Sequence, residues 1–456
     1  MGKALSSGLV LVVLVLALGP PLAAQPAKPG WVEAGASVEL RPATLQPDYY
    51  AGSQTVYLTG LASRPEDRQL PLLVLPPERL PRTISQHATL GTLTVGRPAQ
   101  DPMEDLNLSF STRDMKSAPT RELQPGELPV LLDESGGTGT GHDAIYVDTD
   151  SDGDLSDEQP LRGFPRDTAD EDGERAQLTV RTDVLVRYPQ DSTPASAPRP
   201  WGYTFTWYPA ADGEWMVAAT MPLVGLVGAG AGQTAVGVLD QRGDACLSAE
   251  GNDQVWLDLD GDRRIASSEL YALGRPVCLW GTYLALKPAL DGSRLLLSVV
   301  APEGAPVRLT AQDGRGGPAR VVTFLAYNTD YDLLLDSMWP PAEVRVPQAD
   351  TVSYIPYQLE VAVPGRGLAR YQFDLEGPES KPLDLTAPLA LGGPVQATIA
   401  ESGEDNGSAR ASFALTTAGG HTLRGIQVNG EDIAPGRVVL LGPAGKVANE
   451  QTVEFG

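Results

Sequence analysis

Apolar and polar residues alternate along this chain in runs of about five to eight, each bounded by Gly, Pro, Asp or Asn. Thr55-Val-Tyr-Leu-Thr59, Gln177-Leu-Thr-Val-Arg-Thr182, Leu295-Leu-Leu-Ser-Val299 and Arg437-Val-Val-Leu-Leu441 are examples. A period of two sends successive side chains to opposite faces of an extended strand, which a helix cannot use. Turn formers are abundant, with 49 glycines and 40 prolines in 456 residues. Strands at this spacing without intervening helices predict a mainly β chain of multi-domain antiparallel β-sandwiches. At most a few short helices are expected, after Pro102 and around Ser267–Leu273.

The first 24 residues are different in kind. Lys3, an apolar run from Leu9 to Leu18 and small residues before Gln25 describe a secretory signal cleaved near Ala24. The expected location is therefore secreted or periplasmic. The apolar run is too short to span about 30 Å of hydrocarbon as a helix, so no membrane insertion is expected after cleavage. The remainder divides into an N-terminal β domain (25–137), an acidic β domain (138–300), an immunoglobulin-like β domain (301–384) and a C-terminal immunoglobulin-like β domain (385–456). The glycine-rich stretch Ser135–Gly141 has no following Lys-Ser/Thr and reads as a turn or linker rather than a phosphate cradle. Cys246 and Cys278, an even pair in a chain with a leader, are expected to form a disulfide.

Acidic residues number 58 against 34 basic, a net charge of −24. Phosphate neutralisation needs Lys/Arg clusters, so this balance argues against a nucleic-acid partner. The acids are also patterned. Asp148-Thr-Asp150-Ser-Asp152-Gly153-Asp154-Leu155-Ser156-Asp157-Glu158-Gln159 places carboxylates at positions 1, 3 and 5, glycine at 6 and an aliphatic at 8. Alternate side chains on a tightly turning segment converge on one point, and the position-7 carbonyl of Asp154 joins them. Such crowding repels itself without a cation, and hard oxygen ligands suit Ca²⁺. Position 12 is Gln159 where a bidentate glutamate is usual, leaving Asp157 or Glu158 to swing in.

A second copy runs from Asp258 through Asp260, Asp262, Arg263, Arg264 and Ile265 to Glu269. Here Asp258, Asp260 and Asp262 are the carboxylates, Arg264 stands at the position-7 carbonyl and Glu269 supplies the terminal glutamate. Arg263 occupies the glycine position, which costs about 1 kcal/mol if it must adopt positive φ. Between the two, Asp240-Gln-Arg242-Gly-Asp244 is a decayed third loop with Arg242 in a ligand place. Asn328-Thr-Asp330-Tyr-Asp332 is a fainter fourth, with Leu333 where the turn needs glycine.

The first two loops resemble the calcium loop of the EF-hand, but strand-like runs precede them, Ala144–Val147 and Gln254–Leu257. The resemblance is therefore to EF-hand-like loops grafted onto β structure, as in dockerin or thrombospondin type 3 repeats. The strand–loop arrangement across 143–270 is similar to repeats in secreted bacterial β-rich proteins. It implies a calcium-stabilised extracellular module and no particular activity.

Catalytic signatures are scarce. His87, His142 and His421 fall in different segments, with no metal-binding His pair and no Gly-x-Ser-x-Gly elbow. The chain is therefore read as a non-enzyme. Carboxylate-dependent extracellular hydrolysis and carbohydrate binding or adhesion remain open, with a glycan or protein ligand as partner. For the binding alternative, Trp201, Tyr203, Phe205 and Trp207 alternate on one strand, and exposure would make them a sugar-stacking platform. Burial in the core is the expectation.

Overall fold

The structure, a computed structural model, describes residues 28–43, 53–57, 59–60, 72–96, 120–134, 142–162, 178–188, 198–210, 213–228, 233–247, 253–266, 269–314, 316–363, 367–378, 381–405, 408–429, 431–433, 436–441 and 447–453. The leader, the glycine-rich stretch at 135–141 and the helix expected after Pro102 lie outside them. The chain is mainly β, with several antiparallel sheets and no helix of seven residues or more among the described residues. No described helix is long and apolar enough to cross a membrane.

The described residues fall into two compact units, one within 35–274 and 286–297 and the other within 28–34, 275–285 and 298–456. In the second of these, an antiparallel ladder runs Leu333–Met338, Arg320–Asn328, Val352–Val363, Gly367–Glu376 and Thr422–Val428. A three-stranded sheet of Glu343–Val346, Ala305–Gln312 and Leu389–Gly392 shares one core with it, through Val307, Val344, Leu391, Phe324, Tyr357 and Phe373. Segments 301–384 and 385–456, read above as separate domains, thus contribute strands to one ladder and side chains to one core.

The other unit carries the aspartate loops on two sheets. One is ordered Thr59–Gly60, Thr89–Thr94, Glu127–Asp133, Ala144–Val147, the last being an edge strand. The other is ordered Leu270–Ala272, Gln254–Leu257, Thr234–Leu239, Leu223–Val227, Arg41–Pro42. The helix expected around Ser267–Leu273 is corrected at 270–272; residues 267–268 lie outside the described residues, and Glu269 N–H closes a helical turn onto Ala266 O at 2.9 Å. Leu270–Ala272 is a strand, because its backbone pairs with Gln254, Val255 and Trp256, and a sheet partner outweighs local propensity.

A third sheet of Leu178–Val186, Arg199–Ala210, Gly213–Thr220 and Ser53–Tyr57 buries the aromatic strand. Trp201, Tyr203, Phe205 and Trp207 are all buried, and Tyr203 stacks on Phe205 at 5.8 Å. The aromatic face is core and offers no sugar platform.

The expected disulfide is also corrected. Cys246 and Cys278 are buried free thiols, one in each unit. Cys246 donates its backbone N–H to Asp244, whereas Cys278 sits beside Ser337 and Tyr283.

Candidate functional site

The first loop leaves the edge strand Ala144–Val147, whose four residues are buried. Asp148 at its end is 0% exposed. Its Oδ1 accepts from the N–H of Asp152 at 3.2 Å and its Oδ2 from Gly153 at 2.8 Å. Asp152 in turn accepts from Asp154 N–H at 2.8 Å. These side chain–backbone bonds bend the chain around the carboxylates. The bend also needs left-handed residues, Ser151 at φ 61° and Gly153 at φ 81°. Leu155, at position 8, anchors the loop by burying among Leu75, Leu90, Leu131 and Tyr146.

Glu158 supplies what Gln159 cannot. Its carboxylate accepts from the Thr149 N–H at 2.5 Å and the Thr149 hydroxyl at 2.8 Å. Oxygens of Asp148, Asp150 and Glu158 lie within 4.8 Å of one another, and so do those of Asp150, Asp152 and Asp157. The Asp154 carboxylate is engaged elsewhere, accepting from Ser156 N–H at 2.7 Å. Burial pushes Asp148 up to about 6, against the backbone N–H groups of Gly153 and Asp152. Burial thus outweighs these donors in disfavouring the ionised form, a balance that a nearby cation would reverse.

The second loop repeats this geometry at the end of Gln254–Leu257. Asp258 is 4% exposed and accepts from Arg263 N–H at 3.3 Å. Asp262 accepts from Arg264 N–H at 2.7 Å. Gly261 and Arg263 are left-handed at φ 80° and 59°, so Arg263 does take the strained conformation. Oxygens of Asp258, Asp260 and Asp262 come within 4.8 Å of one another.

Glu269 stands outside that trio. It holds the loop's backbone, accepting from Leu259 N–H at 2.7 Å and Asp260 N–H at 3.2 Å, while Trp256 Nε1 donates to its other oxygen at 3.2 Å. Burial, opposed by the Leu259 N–H, pushes Glu269 up to about 7. Burial also raises Asp258. Ile265 at position 8 packs against the small cluster of Ala235, Leu239 and Trp256.

The decayed third loop has the same backbone. Positions 4 and 6, Gly243 and Ala245, are left-handed at φ 66° and 55°. Asp240 accepts from Gly243 N–H at 2.8 Å and Ala245 N–H at 2.7 Å. Cys246 N–H donates to Asp244 at 2.9 Å. Asp253, a residue that the motif reading missed, accepts from the position-2 N–H of Gln241 at 2.8 Å. Glu158, Asp253 and Glu269 thus perform one task, returning a carboxylate to the second N–H of each loop. Their spacing from the first aspartate differs each time, which hides them from a fixed template.

In the fourth candidate, Asn328 Oδ1 accepts from Asp330 and Asp332 N–H. Of its positions 4 and 6, only Tyr331 is left-handed, so it is an ordinary Asx turn. His142 stacks edge-on against Trp207 at 5.2 Å, and His421 is buried against Tyr357.

No family model matches the chain, and neither a curated protein nor a solved structure shows significant similarity to it.

Proposed function

We propose that this is an exported, non-catalytic β protein whose first two aspartate loops bind Ca²⁺ to hold the surrounding sheets together. The observation that carries the reading is the convergence of Asp148, Asp150 and Glu158 in one loop and of Asp258, Asp260 and Asp262 in another. In each trio the first aspartate is buried. Asp152 and Asp157 complete the first site from its exposed side. The carbonyls of Asp154 and Arg264 stand at the position-7 ligand place, and Glu269 fixes the second loop.

All-oxygen donors of this number favour Ca²⁺ over Mg²⁺, which demands a stricter octahedron. Extracellular modules need Kd values of only about 10⁻⁴–10⁻³ M, because ambient calcium is high. Thermal melts of the full chain in calcium and in chelator test the reading. Calcium should raise Tm, and identical curves would remove its support.

A further inference from the structure

The third loop buries three carboxylates, against one in the first loop and two in the second. Asp240, Asp244 and Asp253 are 2%, 1% and 1% exposed. A buried charge without compensation costs several kcal/mol. In the first two loops position 3 is an aspartate that joins a converging trio, Asp150 or Asp260. Among the described residues such trios form only in those two loops; the carboxylates of the third do not gather in this way. Its position 3 is Arg242, which carries a positive charge where the other loops carry a negative one.

The loop is otherwise braced by protein groups. Tyr203 donates to Gly243 O at 2.9 Å and Tyr188 to Ala245 O at 2.9 Å. Gly96 N–H donates to Asp244 O at 2.8 Å. Arg242 opposes the carboxylates' charge at Cys246. After burial, the charges of Asp244, Asp240 and Asp253 push the Cys246 thiol up, and Arg242 pulls it down.

We propose that the Arg242 guanidinium is the resident cation of the third loop, which therefore keeps a calcium-loop shape without metal. The chain would then contain two metal-dependent loops and one self-sufficient copy.

Two measurements on the full chain test this. The first compares Arg242→Lys with Arg242→Gln by thermal melting in chelator, where metal plays no part. The lysine variant should melt within about 2 °C of the parent and the glutamine variant roughly 5 °C or more below it. Equal melting of the two variants overturns the proposal.

The second measurement is calorimetric titration of Arg242→Asp with calcium, which restores an aspartate at position 3. One more equivalent than the parent supports the proposal, while an unchanged count in a folded variant, or three equivalents in the parent, contradicts it. If Arg242→Asp does not fold, the lysine–glutamine comparison decides alone. The inference builds on the calcium reading of the other loops, yet that comparison is independent of it. A parent that binds no calcium but discriminates lysine from glutamine would sink only the calcium reading.

Discussion

Glu158 and Thr149 are joined twice over, the Thr149 N–H and hydroxyl both donating to the Glu158 carboxylate. This contact draws the eleventh residue of the first loop onto the second and brings a Glu158 oxygen within 4.8 Å of those of Asp148 and Asp150. On the calcium reading, Glu158 takes the part of the glutamate usual at position 12. Glu158→Gln should therefore weaken calcium binding at one site at least tenfold, corresponding to about 1.4 kcal/mol. Gln159→Glu should change it little. Titration calorimetry of both variants checks the pair.

Backbone strain gives a second expectation. Arg263 is left-handed at φ 59°, which an ordinary side chain tolerates poorly. Arg263→Gly should stabilise the chain by up to about 1 kcal/mol in calcium. Gly153→Ala, at φ 81°, should destabilise it by about 1–2 kcal/mol. The nearest atom to an added Cβ there is Arg79 Nη1 at 3.6 Å, so the cost lies in the backbone and not in crowding. Denaturant melts of each variant would show the opposite signs.

The sequence carried the loops further than it carried their closure. Asp148, Asp150 and Asp152 with Gly153 were legible because their spacing is itself the geometry, and Ala144–Val147 and Gln254–Leu257 are strands as their patterns suggested. Asp253 was not legible, since it reaches Gln241 from beyond the span of a twelve-residue motif. The shared left-handed conformation at the fourth position, with Ser, Gly and Gly in the three loops, leaves no consistent residue signature. The cysteine pair misled because an even count says nothing of distance. The helix expected around Ser267–Leu273 fails at Leu270–Ala272, which found a strand to pair with.

pH should act oppositely with and without metal. Asp148 at about 6 and Glu269 at about 7 lie above their ordinary range, so the folded state binds their protons more tightly than the unfolded chain. Their contribution is fully present below about pH 4 and is lost as pH rises through 6 to 7. Chelated protein should therefore lose Tm from these groups between pH 4.5 and 8. Calcium competes with the same protons, so its affinity should rise over that interval. Melts across pH in calcium and in chelator should diverge, and parallel curves would contradict the assignment.

Calcium itself should add roughly 1.4 kcal/mol per site at tenfold excess over Kd. The double substitution Asp150→Ala and Asp260→Ala should abolish the difference between calcium and chelator melts, whereas either single substitution should halve it.

The most direct measurement is a calorimetric calcium titration of the full chain alongside Asp150→Ala and Asp260→Ala. The account predicts two equivalents for the parent and one for each variant, with Kd at or below the millimolar range. No heat of binding at millimolar calcium, or a count untouched by either substitution, would contradict it.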